Sequence, residues 1–216
     1  SEDERDEAAW ICAQLGKMRS SGMSMGGAAI LYRTNAQSRV LEEALVRAGI
    51  AYRVYGGMKF YERKEVKDLV AYLRAIVNPN DDVAVRRIIN EPKRSIGDAT
   101  VSLLADQAAR EQSSILASVL FPEPGLLSSR AERAVRGFAL LMDQLIEAQL
   151  TMPPDQFLRH VIDQTGYEKQ FLAADNEENA SRLQNIAELE TAVREFTSRD
   201  PEAGLEGFLE NVALVT

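Results

Sequence analysis

Two stretches of this 216-residue chain bring together residue types that can hold a phosphate. The first, residues 88–104, reads IINEPKRSIGDATVSLL. Pro92 lacks an N–H and restricts Glu91, so a helix predicted over 82–90 stops there. Lys93 and Arg94 then bring two cations to a turn, and Gly97 offers backbone without a side chain. Asp98 or Thr100 can cap the next helix, whose apolar face is Val101, Leu104, Ala105 and Ala108. A helix N-terminus with free N–H groups beside two cations suits a phosphate-sized anion. An ordinary connection between helices, with its charges solvated, fits the same residues.

The second stretch, YRTNAQSR at 32–39, offers two guanidiniums, an amide and several hydroxyls around a helix start, a set suited to a nucleic-acid backbone. A capped helix with exposed arginines is the alternative. Residues 55–67, YGGMKFYERKEVK, interleave aromatics with cations, which fits nucleotide stacking or a hinge packed on a helical domain. Other chemistry is absent. The chain has no G-x-x-x-x-G-K-[ST] loop and no G-x-G-x-x-G, so it should not bind or hydrolyse a nucleotide by itself. His160 is the only histidine, on an amphipathic face, and Cys12 is the only cysteine; neither a triad nor a metal cluster can be assembled.

The net charge of −8 argues against a general polyanion binder. Acids gather at 1–7, 175–178 and 202–210, whereas Arg86, Arg87, Lys93 and Arg94 sit close together. With screening over about 8 Å, a local basic patch survives an acidic total. No apolar run reaches the roughly 20 residues of a membrane helix and no signal peptide opens the chain, so a reducing cytoplasm is expected.

The elements that must position these residues follow from periodicity. A helix is expected over 4–19. Residues 28–32 read as a buried parallel strand, and T-x-x-Q at Thr34 and Gln37 opens a helix that Gly49 stops. Residues 52–55 read as a second strand, completing a right-handed βαβ unit. From 62 to 212 the pattern is almost wholly helical: 62–77, 82–90, 98–111, 113–121, 128–150, 154–165, 167–174, 178–198 and 202–214, with Pro and Gly at the breaks. The domain boundary falls at 56–63. Starting without Met on an acidic segment, and stopping at Thr216 with no closing element, the chain reads as a piece of something longer.

In this order the motifs resemble one family, the superfamily 1A DNA helicases of the UvrD/PcrA/Rep type. The resemblance is carried by ILYRTNAQSR at 30–39, LEEAL at 41–45, YGGMKFYERKEVKD at 55–68, AYLR at 71–74, Asn78-Pro79 and PKRSIG at 92–97, then TGY at 165–167 and RLQNI at 182–186. It implies a mainly α fold. Residues 1–63 would be part of the second RecA-like motor lobe (2A), a parallel βαβ piece of α/β type. Residues 64–216 would be the all-helical 2B subdomain, with a helix–hairpin–helix-like turn near 92–100.

The resemblance also implies a parent enzyme of DNA repair and replication that couples ATP hydrolysis, with Mg, to 3′-to-5′ movement on single-stranded DNA. This fragment would hold no catalytic residue, metal or cofactor of its own. Arg33, Asn35 and Arg39 would contact the single strand. Lys93, Arg94, Ser95, Ile96, Gly97, Asp98 and Thr100 would grip duplex backbone without regard to sequence. Gly56, Gly57, Arg63 and Lys64 would form the hinge on which 2B swivels.

Ser95 stands where that family's element has its first glycine, so either strain weakens the grip or the hydroxyl donates to a phosphate. Further partners implied are the rest of the motor and, through an unpaired strand edge, a second copy. The competing expectation is a protein-interaction or autoinhibitory module, marked by an exposed apolar patch from Ser128 onward.

Overall fold

Helix ends coincide with the breakers and caps written into the chain. The computed structural model describes residues 4–172 and 176–215. Its helices are α1 (Glu4–Ser20), α2 (Ser38–Arg47), α3 (Lys64–Val77), α4 (Asp82–Ile88), α5 (Asp98–Glu111), α6 (Ile115–Leu120), α7 (Ser129–Gln149), α8 (Pro154–Thr165), α9 (Lys169–Leu172), α10 (Glu177–Arg199) and α11 (Gly204–Val215). Side chains of Asp81, Ser114, Ser128 and Asn176 accept N–H groups at the starts of α4, α6, α7 and α10. Gly166, at φ 67°, closes α8 in the left-handed conformation. Parts of the acidic runs at 1–7 and 175–178, and the end of the helix expected over 167–174, lie outside the described residues.

α3 is the central element. Val66, Leu69, Tyr72, Leu73 and Ile76 are almost wholly buried, and α4, α7, α8, α10 and α11 pack around them. Burying five such side chains contributes about 10 kcal/mol before chain entropy is charged against it.

The parallel βαβ unit expected in residues 28–55 does not form. Residues 28–32 and 51–54 are without regular secondary structure, and no strand occurs among the described residues. A strand exists only as part of a ladder, and neither segment finds a partner here. Leu31, expected inside a buried strand, is 94% exposed.

The connection near the expected boundary is held by buried polar groups as well as by Phe60 and Tyr61, which sit in the core. The Glu42 carboxylate accepts the Phe60 N–H (3.1 Å), the Tyr52 hydroxyl (3.1 Å) and the Ser38 hydroxyl (2.6 Å). Arg63 donates to Ser38 Oγ and Asn185 Oδ1, each at 2.7 Å, and Asn185 donates onward to Glu65. Every member of this chain has a partner, which is the condition under which a buried polar network holds one arrangement.

Candidate nucleic-acid interface

The turn between α4 and α5 is built from inside by three residues. Asn90 Oδ1 accepts the N–H groups of Arg94 (2.8 Å) and Ile96 (3.3 Å). Ile96 is 1% exposed and anchors the turn in the core, so its side chain is not available to DNA as the resemblance implied. Arg94 also faces inward. Its Nη1 donates to the carbonyls of Ile88 (3.0 Å) and Pro92 (3.1 Å), and its Nη2 to Tyr72 Oη (2.6 Å). The guanidinium lies 5.4 Å from the centre of the Phe138 ring and 5.9 Å from that of Tyr72. The expectation of two outward cations therefore reduces to one, because the carbonyls and rings beneath the turn consume Arg94.

What remains outside is Lys93, which is exposed and has no ion pair among the described residues, the exposed Ser95, and the first turn of α5. Ser95 adopts φ 61°, the left-handed region that disfavours L-residues. Gly97, not Asp98 or Thr100, is the N-cap; its φ of −87° is ordinary backbone. Its carbonyl accepts the N–H groups of Thr100 and Val101, leaving those of Asp98 and Ala99 at the helix end without a partner among the described residues. An added Cβ at Gly97 would meet nothing within 4 Å, so the fold does not require a glycine there.

The turn is gripped by one stripe of α3, Lys64, Asp68 and Tyr72, spaced four residues apart and therefore on one helix face. Lys64 Nζ bridges Asp68 (2.6 Å) and Glu91 (2.8 Å). Asp68, 2% exposed, also accepts from Arg87 (2.8 Å) and the Tyr167 hydroxyl (2.6 Å). The Tyr72 hydroxyl donates to the Glu91 carbonyl at 2.6 Å, and burial pushes its pKa up to about 12 against the opposing charge of Arg94. Burial tends to lower the Lys64 pKa, but its hydrogen bonds to Asp68 and Glu91 outweigh that and hold the ammonium charged.

The single-strand candidates separate into two kinds. Arg33 and Asn35 are exposed, at a 3₁₀ turn where Gln37 Oε1 accepts the N–H groups of Arg33 and Thr34. The bend carrying Gly56, at φ +78°, approaches them: a Cβ on Gly57 would lie 3.8 Å from Asn35 Oδ1. Arg39, by contrast, is 3% exposed, paired with Glu43 (3.1 Å), Glu188 (2.6 Å) and Glu195 (2.9 Å). Burial works against its charge, but Glu43 and Glu188 more than restore it. Arg39 joins α2 to α10 and does not face a ligand. Of the hinge candidates, Arg63 is buried in the network described above, and burial lowers its pKa.

Asn90 and Tyr72 are the residues that sequence reasoning missed. The signal for Asn90 was an amide just ahead of a Pro-containing turn, a position from which Asn bonds nearby backbone. Tyr72 entered only as part of AYLR at 71–74, and nothing in the letters tied it to the turn, because its partner Arg94 lies 22 residues away. Among the described residues no three His, Cys, Asp or Glu side chains converge as a metal site, and no helix is long and apolar enough to cross a membrane.

The whole chain, residues 1–216, matches the family model described as the UvrD-like helicase C-terminal domain. It is 39% identical to DNA helicase II of Salmonella typhimurium and 37% identical to DNA helicase II of Escherichia coli, in each case over 98% of this chain and 30% of the relative. It is 34% identical to the ATP-dependent DNA helicase PcrA of Bacillus subtilis, over 99% of this chain and 29% of that protein. The chain thus spans about three tenths of the length of these relatives. By this match over its full length, the chain belongs to the UvrD-like helicase C-terminal domain family of superfamily 1.

Proposed function

We propose that this chain is the DNA-gripping portion of an ATP-dependent 3′-to-5′ DNA helicase, and that the turn between α4 and α5 holds the phosphate backbone of duplex DNA. The observation that carries the reading is the division of the turn into two sides. Asn90, Arg94 and Ile96 are spent inside, while Lys93 and the unpaired amides of Asp98 and Ala99 face outward past a glycine that the fold does not require. One cation with a helix N-terminus binds phosphate without reading bases. Ser95 and Thr100 bring hydroxyls to the same edge, and Arg33 with Asn35 supplies a separate single-strand contact.

Swivelling of residues 64–216 against 1–63 would begin at the Gly56-Gly57 bend and release Arg39 from Glu188 and Glu195. In the longer protein the unpaired segments 28–32 and 52–55 would join strands supplied by the rest of a RecA-like lobe. ATP and Mg would be held by that remainder, a reading supported by the likeness to ATP-dependent DNA helicases.

The test is a salt titration of binding to a duplex of mixed sequence. Lys93→Ala is expected to weaken binding alike for all sequences and to lower the slope of log affinity against log salt by about 0.9. A variant that matches the unsubstituted chain at every salt concentration refutes the duplex reading. The rival reading, an interaction module, rests on the large hydrophobics exposed from Ser128 onward, Leu140, Leu150, Met152, Leu172 and Leu214.

A further inference from the structure

We propose that Asn90 is the positioning residue of the duplex-contact turn, shaping it through the backbone without touching DNA; this rests on the duplex reading above. Asn90 follows α4 and is half-buried. Its single Oδ1 accepts two N–H groups, those of Arg94 and Ile96, which lie on either side of Ser95. The oxygen therefore closes the backbone around the one residue of the turn in the left-handed region, at φ 61°. A serine leaves that region unless its neighbours are held.

Both neighbours are held twice. Arg94 is fixed by Asn90 at its amide and by Ile88, Pro92 and Tyr72 at its guanidinium. Ile96 is fixed by Asn90 at its amide and by the core at its side chain. With both ends pinned, Ser95 is forced outward and the chain enters α5 at a set angle. That angle aims the amides of Asp98 and Ala99 at the same outer edge as Lys93. Asn90 carries no charge, so its contribution is geometric.

The test pairs amide hydrogen exchange with the salt titration. Asn90→Ala is expected to speed exchange at Arg94 and Ile96 and to weaken duplex affinity about tenfold. It should leave the salt slope unchanged, because no cation is lost. Asn90→Asp keeps the acceptor, so exchange at both amides stays slow. Adding Ser95→Gly to Asn90→Ala should recover more affinity than Ser95→Gly adds to the unsubstituted chain, since glycine holds a positive φ unaided.

Unchanged exchange in Asn90→Ala, or an affinity loss that Ser95→Gly does not preferentially recover, overturns the inference. If Asn90→Ala alone does not fold, the Asn90→Ala, Ser95→Gly pair carries the exchange comparison. Binding insensitive to Lys93→Ala would overturn the duplex reading instead, and exchange at Arg94 and Ile96 would still decide whether Asn90 shapes the turn.

Discussion

Ser95→Gly should stabilise this protein, although serine-to-glycine changes in ordinary backbone do the opposite. At φ 61° an L-residue costs about 1–2 kcal/mol relative to its preferred regions, a cost that glycine does not bear. Against this, glycine gains more freedom in the unfolded chain, worth roughly 0.5–1 kcal/mol. The serine hydroxyl is exposed and has no hydrogen-bond partner among the described residues, so its removal costs the fold nothing further. The net is about 0.5–1 kcal/mol in favour of glycine. At about 2.1 cal/mol/K per residue, a chain of 216 residues has an unfolding entropy near 0.45 kcal/mol/K. Ser95→Gly therefore raises Tm by about 1–2 °C. Ser95→Val provides the opposite limb, because a β-branched side chain is least tolerated in the left-handed region. Thermal unfolding followed by circular dichroism measures both. A glycine variant with unchanged or lowered Tm, or a valine variant as stable as the serine protein, would refute the assignment of strain to this position.

Two further expectations concern charge. Arg39→Ala removes the ion pair of Glu188, while Glu43 keeps Arg47 and Glu195 keeps Arg5, and should cost about 1.5–3 kcal/mol. Glu188→Gln should cost much less, since burial already pushes the Glu188 carboxyl up and Arg39 keeps two other acids; equal losses in urea unfolding would contradict this account. Glu190 is likewise raised above the ordinary 4.5, by burial first, with Arg159 opposing from 3.6 Å. A carboxyl raised on folding stabilises the protein in its protonated form. That contribution is complete below pH 4.5 and is lost as pH rises through the folded value. Glu190→Gln should therefore be more stable than the unsubstituted chain at neutral pH, with the gap closing below about pH 4.5. A gap independent of pH would show that the glutamate does not titrate as inferred.

The helices were legible because their determinants are local. Residues 98–111 and 154–165 match the ranges read from periodicity, Pro154 and Gly166, although the cap of the first is Gly97 and not Asp98 or Thr100. The turn was legible as a turn for the same reason: Pro92 stops one helix and a glycine precedes the next. Its working parts were not. Lys93 and Arg94 are adjacent in sequence, yet one is solvated and the other lies between Phe138 and Tyr72, a difference set by α3 and α7. Arg33 and Arg39 differ in the same way. Both flank a helix start, but only Arg39 falls on the face that α10 covers with two glutamates. The strands failed for a related reason, because an apolar run states that a segment can pair but not that a partner is present.

The sequence by itself determined where the chain is helical, where it turns and which motifs place it among the UvrD-like helicases, since these depend on neighbours within a few residues. The tertiary structure alone decided which side of the turn faces solvent. Burial of a charge is settled by the carbonyls, rings and carboxylates that distant segments bring to it, and those distances are not written in local order.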